Sequence, residues 1–203
     1  MLEPLSNTIQ GVVNFTWPMI IISVVIIVSL RISYLLKNKL TFVLYKEITM
    51  LIFIIYILCL FQVVTFQDEV NWSTNNFIPF KEILRYKISS KLFVKNVLGN
   101  LIMFLPFGFF VSYYLNVSKK ILPVILSLIS SFSIEIVQLA IGRVFDVDDI
   151  ILNVLGSIIG FHLYNIFRLI SEKLPSYLKK EWVLNVFSII ILVSMVYLFI
   201  IIL

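Results

Sequence analysis

Six long apolar runs, separated by short polar stretches, dominate the chain. We place them near residues 17–36, 48–66, 97–115, 121–142, 150–170 and 182–203. A helix needs about 20 apolar residues to cross the hydrocarbon core of a bilayer. The runs are continuously apolar and lack the alternation of barrel strands. The pattern therefore predicts an all-α fold, a polytopic transmembrane helical bundle with about six spans.

The composition supports this prediction. Of the 203 residues, 61% are hydrophobic and 13% are charged, and the mean hydropathy is +1.06, far from the values of a soluble domain. The single cysteine, Cys59, excludes an intrachain disulfide. The net charge of +5 is spread over the loops and forms no clustered basic face, so we expect no nucleic-acid partner. Nothing in the sequence calls for a cofactor, and we expect none.

The distribution of Lys and Arg predicts an orientation. Ten of these residues fall in the loops after the first, third and fifth spans, and six in the loops after the second and fourth. Because positive loops stay in the cytoplasm, we expect a multi-pass protein of the cell membrane with both termini outside the cytoplasm. The long loop from about 67 to 96 and the turn 143–149 then also face outward. The first run lacks a preceding basic region, so we interpret it as a retained anchor helix.

The fourth run contains an ionisable residue, Glu135, which is expensive to place in a membrane. Gln138 and Gly142 follow at helical spacing, so the three are expected along one stripe of the helix. Such a carboxyl can be protonated and simply clamp two helices together. It can also serve a ligand or an ion, which is the usual reason for an intramembrane charge.

The turn before the fifth run concentrates charge in "RVFDVDD". Asp146 and Asp148 suit the N-cap position, and Asp149 in the first turn suits the helix dipole. Three carboxylates beside Arg143 exceed what one cap requires. The carboxylates beyond the one needed for capping are consistent with ion pairing, with a polar ligand site, or with a site for a hard cation, since hard cations prefer oxygen ligands. The segment lacks the pattern of an EF-hand loop, and we expect no bound metal.

Small and amide residues mark two further helix faces. Asn153, Gly156 and Gly160 share one face of the fifth run, and the two glycines have the GxxxG spacing that allows close helix packing. Asn153 is expected to form an interhelical hydrogen bond. In the third run, Asn100 precedes Pro106, which interrupts the helical hydrogen bonds and favours a polar cavity.

Three segments together resemble the VanZ-like family: "NFIPF", "NVLGNLIMFLPFGF" and "EIVQLAIGRVFDVDDIILNVLGSIIG". The spaced pattern E-x-x-Q-x-x-x-x-R-x-x-D-x-x-D is the most specific part. The resemblance runs from about Lys46 to Ile170 and implies a VanZ-like four-helix membrane domain at 46–172. The expected N-terminal anchor helix at 1–45 and C-terminal transmembrane helix at 173–203 lie outside it. The resemblance also implies a bacterial membrane protein related to one associated with low-level resistance to the glycopeptide teicoplanin, and it implies no reaction.

Two functional hypotheses remain open. The first is binding of an amphiphile at the outer membrane interface: a membrane lipid, a lipid-linked cell-wall precursor or a lipoglycopeptide antibiotic. The second is an intramembrane enzyme that modifies a lipid-linked substrate with Glu135 as general acid or base, although no matched nucleophile is recognisable. The predicted ligand-binding residues are Glu135, Gln138, Arg143, Asp146, Asp148, Asp149, Asn100 and Asn153.

Overall fold

The computed structural model describes residues 3–65, 74–88 and 90–202. It contains seven α-helices within these ranges: α1 (Glu3–Lys37), α2 (Leu44–Thr65), α3 (Lys81–Arg85), α4 (Gly99–Leu115), α5 (Ile121–Ala140), α6 (Val147–Lys173) and α7 (Glu181–Ile202). A π-helical turn, Phe93–Leu98, leads directly into α4. Over the described residues the only β pairing is an isolated parallel bridge between Asn76 and Asp146. The all-α prediction is confirmed.

Five helices are long and apolar enough to cross a membrane: Trp17–Lys37, Leu44–Val64, Phe93–Leu115, Ile121–Ala140 and Val147–Lys173. They coincide with the first five predicted runs. The sixth run, 182–203, falls on α7, whose described apolar stretch is the shorter Glu181–Tyr197, and the side chains beyond it lie outside the described residues. Residues 66–73 of the long loop lie outside them as well. The chain is a multi-pass helical membrane protein.

The chain divides into two compact units. One unit contains Val64–Glu172 and the other contains Asn7–Val63 with Lys173–Leu203. The domain boundaries expected at 45 and 172 stay a prediction. The polar residues singled out from the sequence all belong to the Val64–Glu172 unit.

A bidentate ion pair joins two helices of the Asn7–Val63 unit. Arg31 on α1 donates from Nε and Nη2 to the two carboxylate oxygens of Glu47 on α2, at 2.8 and 3.0 Å. The backbone N–H of Tyr45 donates to Asn185 Oδ1 on α7 at 3.0 Å. Polar contacts of this kind hold helices together where lipid offers no hydrophobic driving force.

Helix α5 turns its small and polar residues inward. Its buried residues are Pro123, Ser127, Ser131, Glu135 and Gln138, whereas its large apolar side chains are exposed on the outer surface. Lipid tails are as apolar as leucine, so the apolar face needs no protein partner and the polar face must find one. The sequence-predicted stripe is confirmed for Glu135 and Gln138.

Gly142 does not continue that stripe, so this part of the prediction is wrong. Helix α5 ends at Ala140, and Gly142 follows with φ 85°. The Gly142 N–H donates to the Leu139 carbonyl and the Arg143 N–H to the Gln138 carbonyl, at 3.2 and 2.8 Å. This is the Schellman pattern, which favours glycine in the left-handed conformation. The turn therefore positions Arg143 directly beyond the helix end.

Helices α4 and α6 pack backbone against backbone. A Cβ added at Gly156 would overlap the Leu101 carbonyl oxygen, and one added at Gly160 would overlap that of Leu105. From the α4 side, Gly108 lies equally close to the backbone of Ser157. The predicted close approach at the GxxxG spacing is confirmed, and it brings the first turns of both helices together.

Candidate functional site

Asp146 organises the start of α6. Its Oδ1 accepts a hydrogen bond from the Asp148 backbone N–H at 2.9 Å, which is the N-cap bond expected from the sequence. The same oxygen accepts from Asn76 Nδ2 at 2.8 Å. Burial raises the pKa of the Asp146 carboxyl above its usual range, while these two hydrogen bonds oppose that change.

Asn76 brings a distant segment onto this turn. Its backbone N–H donates to the Phe145 carbonyl at 2.8 Å, and its carbonyl accepts from the Val147 N–H at 3.0 Å. The neighbouring Asn75 Oδ1 accepts from the Phe145 N–H at 3.0 Å. We call residues 74–88 the α3 segment, because they contain that helix.

Asp148 fastens the α3 segment to α6. The carboxylate is 1% exposed, and its Oδ2 accepts from the backbone N–H groups of Glu82 and Ile83 at 2.7 and 3.1 Å. Its Oδ1 accepts from the Phe80 N–H. Asp148 therefore caps the N-terminus of α3 rather than that of its own helix, and both of its oxygens are occupied.

Glu135 lies beside the same turn. Its side chain is 1% exposed, and Oε2 accepts from the Asp146 backbone N–H at 2.8 Å. Burial of a carboxylate carries a substantial desolvation cost.

Asp149 and Arg143 complete the charged group. Asp149 is half-buried, and its Oδ1 accepts from Asn100 Nδ2 on α4. Asp149 lies within electrostatic range of Glu135, and both lie within range of the Arg143 guanidinium. The N-terminal ends of α4 and α6 and the C-terminal end of α5 thus meet. We call the eight predicted residues at this junction the polar cluster: Asn100, Glu135, Gln138, Arg143, Asp146, Asp148, Asp149 and Asn153.

Arg143 and Gln138 also reach the end of α2. Arg143 Nη1 donates to the Val64 carbonyl oxygen at 2.7 Å, and Gln138 Nε2 donates to the same oxygen at 3.3 Å. The last carbonyls of a helix lack partners in their own helix and attract cations. These two side chains therefore share the Val64 carbonyl oxygen as an acceptor within the Val64–Glu172 unit.

A second group of polar residues lies one helical turn further along α6 from Asp149. Asn153 is 1% exposed, and its Nδ2 donates to Ser131 Oγ at 2.8 Å, which confirms the interhelical hydrogen bond expected of Asn153. Its Oδ1 is buried and has no hydrogen-bond partner among the described residues. Asn153 follows Asp149 by four residues, or about 6 Å along the helix axis.

The structure thus gathers all eight predicted residues around one end of the α4–α5–α6 bundle. Their role as ligand-binding residues stays a prediction. Sequence reasoning missed three contributors, Asn75, Asn76 and Ser131. The adjacent asparagines before "FIPF" are the only local signal, since Ser131 stands in an apolar run without distinction. Over the described residues, no group of three or more His, Cys, Asp or Glu side chains has the arrangement of a metal site.

Comparison with known proteins gives one family. A family model described as VanZ/LLP1 matches residues 53–168, more than half of the chain. The matched region contains the whole polar cluster and the α3 segment. No curated protein and no solved structure is significantly similar to the chain.

Proposed function

The chain belongs to the VanZ/LLP1 family, and on that premise we propose that it binds an amphiphile through the polar cluster at the outer membrane interface. The ligand is a membrane lipid, a lipid-linked cell-wall precursor or a glycopeptide antibiotic. Binding contributes to resistance to teicoplanin or to homeostasis of the cell envelope. The outward orientation rests on the Lys and Arg bias of the loops.

One observation carries the proposal: the polar cluster holds a buried acceptor, Asn153 Oδ1, that no described residue pairs. One turn away, the buried Glu135 carboxyl accepts the Asp146 N–H at Oε2. Most buried polar groups in proteins are paired. An acceptor left without a partner beside a buried carboxyl group favours a ligand that supplies donors.

The charges indicate which donors. Asp146 and Asp148 are engaged in capping, which leaves the carboxyl groups of Glu135 and Asp149, with Arg143 nearby. An amine or a set of hydroxyl groups can pair with these carboxyl groups, and the guanidinium favours a phosphate or carboxylate on the same headgroup. A headgroup with both chemistries is characteristic of zwitterionic lipids, wall precursors and glycopeptides.

Catalysis by Glu135 is less well supported than binding. The nearby Ser131 hydroxyl accepts from Asn153, and the exposed Ser133 hydroxyl donates to the Ile129 carbonyl. Neither serine is hydrogen-bonded to Glu135, and a nucleophile must reach its base. Conversion of a lipid-linked substrate by purified protein, lost in Glu135→Gln, would favour the enzymatic alternative.

The test is teicoplanin susceptibility of a sensitive bacterial host that expresses wild type, Glu135→Gln or Arg143→Ala at equal membrane abundance. Glu172→Gln is the matched control, because it makes the same chemical change at an exposed carboxylate near the far end of α6. We expect wild type and the control to protect and the two cluster variants to fail.

Binding is measured on the same variants in lipid nanodiscs, by titration with teicoplanin and by mass spectrometry of co-purified lipids. We expect the cluster variants to lose at least tenfold in affinity for the retained ligand. Full protection and full binding by Glu135→Gln would contradict the proposed site. A wild type that neither protects nor retains a specific amphiphile would contradict the proposed function.

A further inference from the structure

The α3 segment exposes large apolar side chains although it is too short to span a membrane. Its helix has only five residues, yet Leu84 and Ile88 are 82% and 81% exposed. Phe77, Ile78 and Phe80 are also more than half exposed. Several large apolar side chains exposed within one short segment indicate contact with a partner or a membrane.

Basic side chains alternate with these apolar ones. Lys81, Arg85 and Lys87 are all exposed, and Arg85 also contacts the carboxylate of Glu82 at 3.2 Å. Lys91 and Lys95 continue the pattern toward α4. Mixed apolar and basic surfaces are typical of segments that lie in the plane of the membrane interface and attract anionic headgroups.

The level of the segment in the membrane follows from its attachments. Asp148 holds it against the first turn of α6, and the chain then enters the span Phe93–Leu115. Both neighbours are the ends of membrane-spanning helices. The segment is therefore fixed at the height where these spans enter the hydrocarbon core.

A groove in the segment has the composition that an acyl chain and its headgroup require. Aromatic and aliphatic side chains form its walls, and one ammonium group lies among them. The lining residues are Ile83, Leu84, Tyr86, Lys87, Ile88 and Phe93. The Tyr86 hydroxyl accepts from Asn96 Nδ2 at 2.9 Å, which fixes one wall of the groove.

We propose that the α3 segment is an interfacial anchor that binds an anionic phospholipid of the surrounding bilayer. The acyl chain lies along the groove, and Lys87 contacts the phosphate. This inference is independent of the proposed function, because it involves no residue of the polar cluster as a ligand, and it holds for either orientation of the protein.

The position of the anchor is tested with a fluorophore on Leu84→Cys in a Cys59→Ala background, in nanodiscs of phosphatidylcholine and phosphatidylglycerol. Ser118→Cys, in the exposed turn between α4 and α5, is the aqueous reference. We expect lipids spin-labelled near the headgroup to quench the Leu84 label and iodide in solution to quench the Ser118 label. Iodide quenching of both labels to the same extent would overturn the anchor.

The lipid preference is tested with Lys87→Gln against Lys119→Gln, which removes the same charge in the α4–α5 turn. The full chain is incubated with equal amounts of phosphatidylglycerol and phosphatidylcholine, and the retained lipids are measured by native mass spectrometry. One lysine at a membrane surface contributes about fivefold in affinity for anionic lipid, so we expect Lys87→Gln alone to lose about fivefold in preference. An equal loss in both variants, or no loss in either, would overturn the lipid site.

Discussion

The bond between Asp148 and the α3 segment gives a sharp quantitative prediction. Replacement of Asp148 by asparagine keeps the shape of the side chain but leaves one acceptor oxygen for three backbone N–H donors, those of Phe80, Glu82 and Ile83. One hydrogen bond to a charged acceptor is lost, at a cost of about 2 kcal/mol, and the others weaken to neutral strength. The attachment of the segment is then weaker by about 3 kcal/mol.

Hydrogen–deuterium exchange measures this attachment directly. Three kcal/mol corresponds to a change on the order of a hundredfold in the population of the detached segment. We expect peptides that cover residues 80–83 to exchange about a hundredfold faster in Asp148→Asn, at unchanged protection of α5. The chain should be measured in nanodiscs, so that the segment keeps its membrane contacts.

Asp149→Asn is the matched control, because that carboxylate accepts from the Asn100 side chain and from no amide of the α3 segment among the described residues. It should leave exchange of residues 80–83 unchanged. A change of less than about twofold in Asp148→Asn, or an equal acceleration in Asp149→Asn, would refute the proposed attachment.

Two further predictions concern packing and orientation. In Gly156→Ala the new methyl group overlaps an α4 carbonyl oxygen, so the helices must separate at a cost of about 1–3 kcal/mol. We expect the thermal unfolding temperature to fall in this variant and to change much less in Ile159→Ala, which lies on the exposed face of α6. Equal changes in the two variants would show that the α4–α6 contact does not determine thermal stability. In a Cys59→Ala background, Val147→Cys should react with a membrane-impermeant thiol reagent on intact cells and Ser118→Cys only after lysis. The reverse result would invert the proposed topology.

Much of the architecture could be predicted because its causes are local. The apolar runs fix the spans, the charge of Glu135 requires a buried partner, and the spacing of Gly156 and Gly160 permits close packing. Gly142 shows the limit of this reasoning. Its spacing fits the α5 stripe, and only the positive φ at the helix end reveals that it terminates the helix.

The roles within the polar cluster depend on residues far away in the chain. Asp148 looks like a cap for its own helix, yet its partners Glu82 and Ile83 precede it by 66 and 65 residues. Asn76 precedes Asp146 by 70 residues. No periodicity connects positions so distant, so a capping carboxylate and a ligand-binding one are indistinguishable in the sequence.

The inward-facing polar stripe of α5 predicts the order in which its contacts with α6 form. The contact nearest the turn closes the shortest loop: the Asp146 amide donates to Glu135 across 11 residues, Asn153 donates to Ser131 across 22, and Ser157 donates to the Pro123 carbonyl across 34. Short loops close at the smallest entropic cost. We therefore expect the Glu135 carboxyl to be paired first, and the α5–α6 hairpin to form from its turn toward the far ends of the two helices.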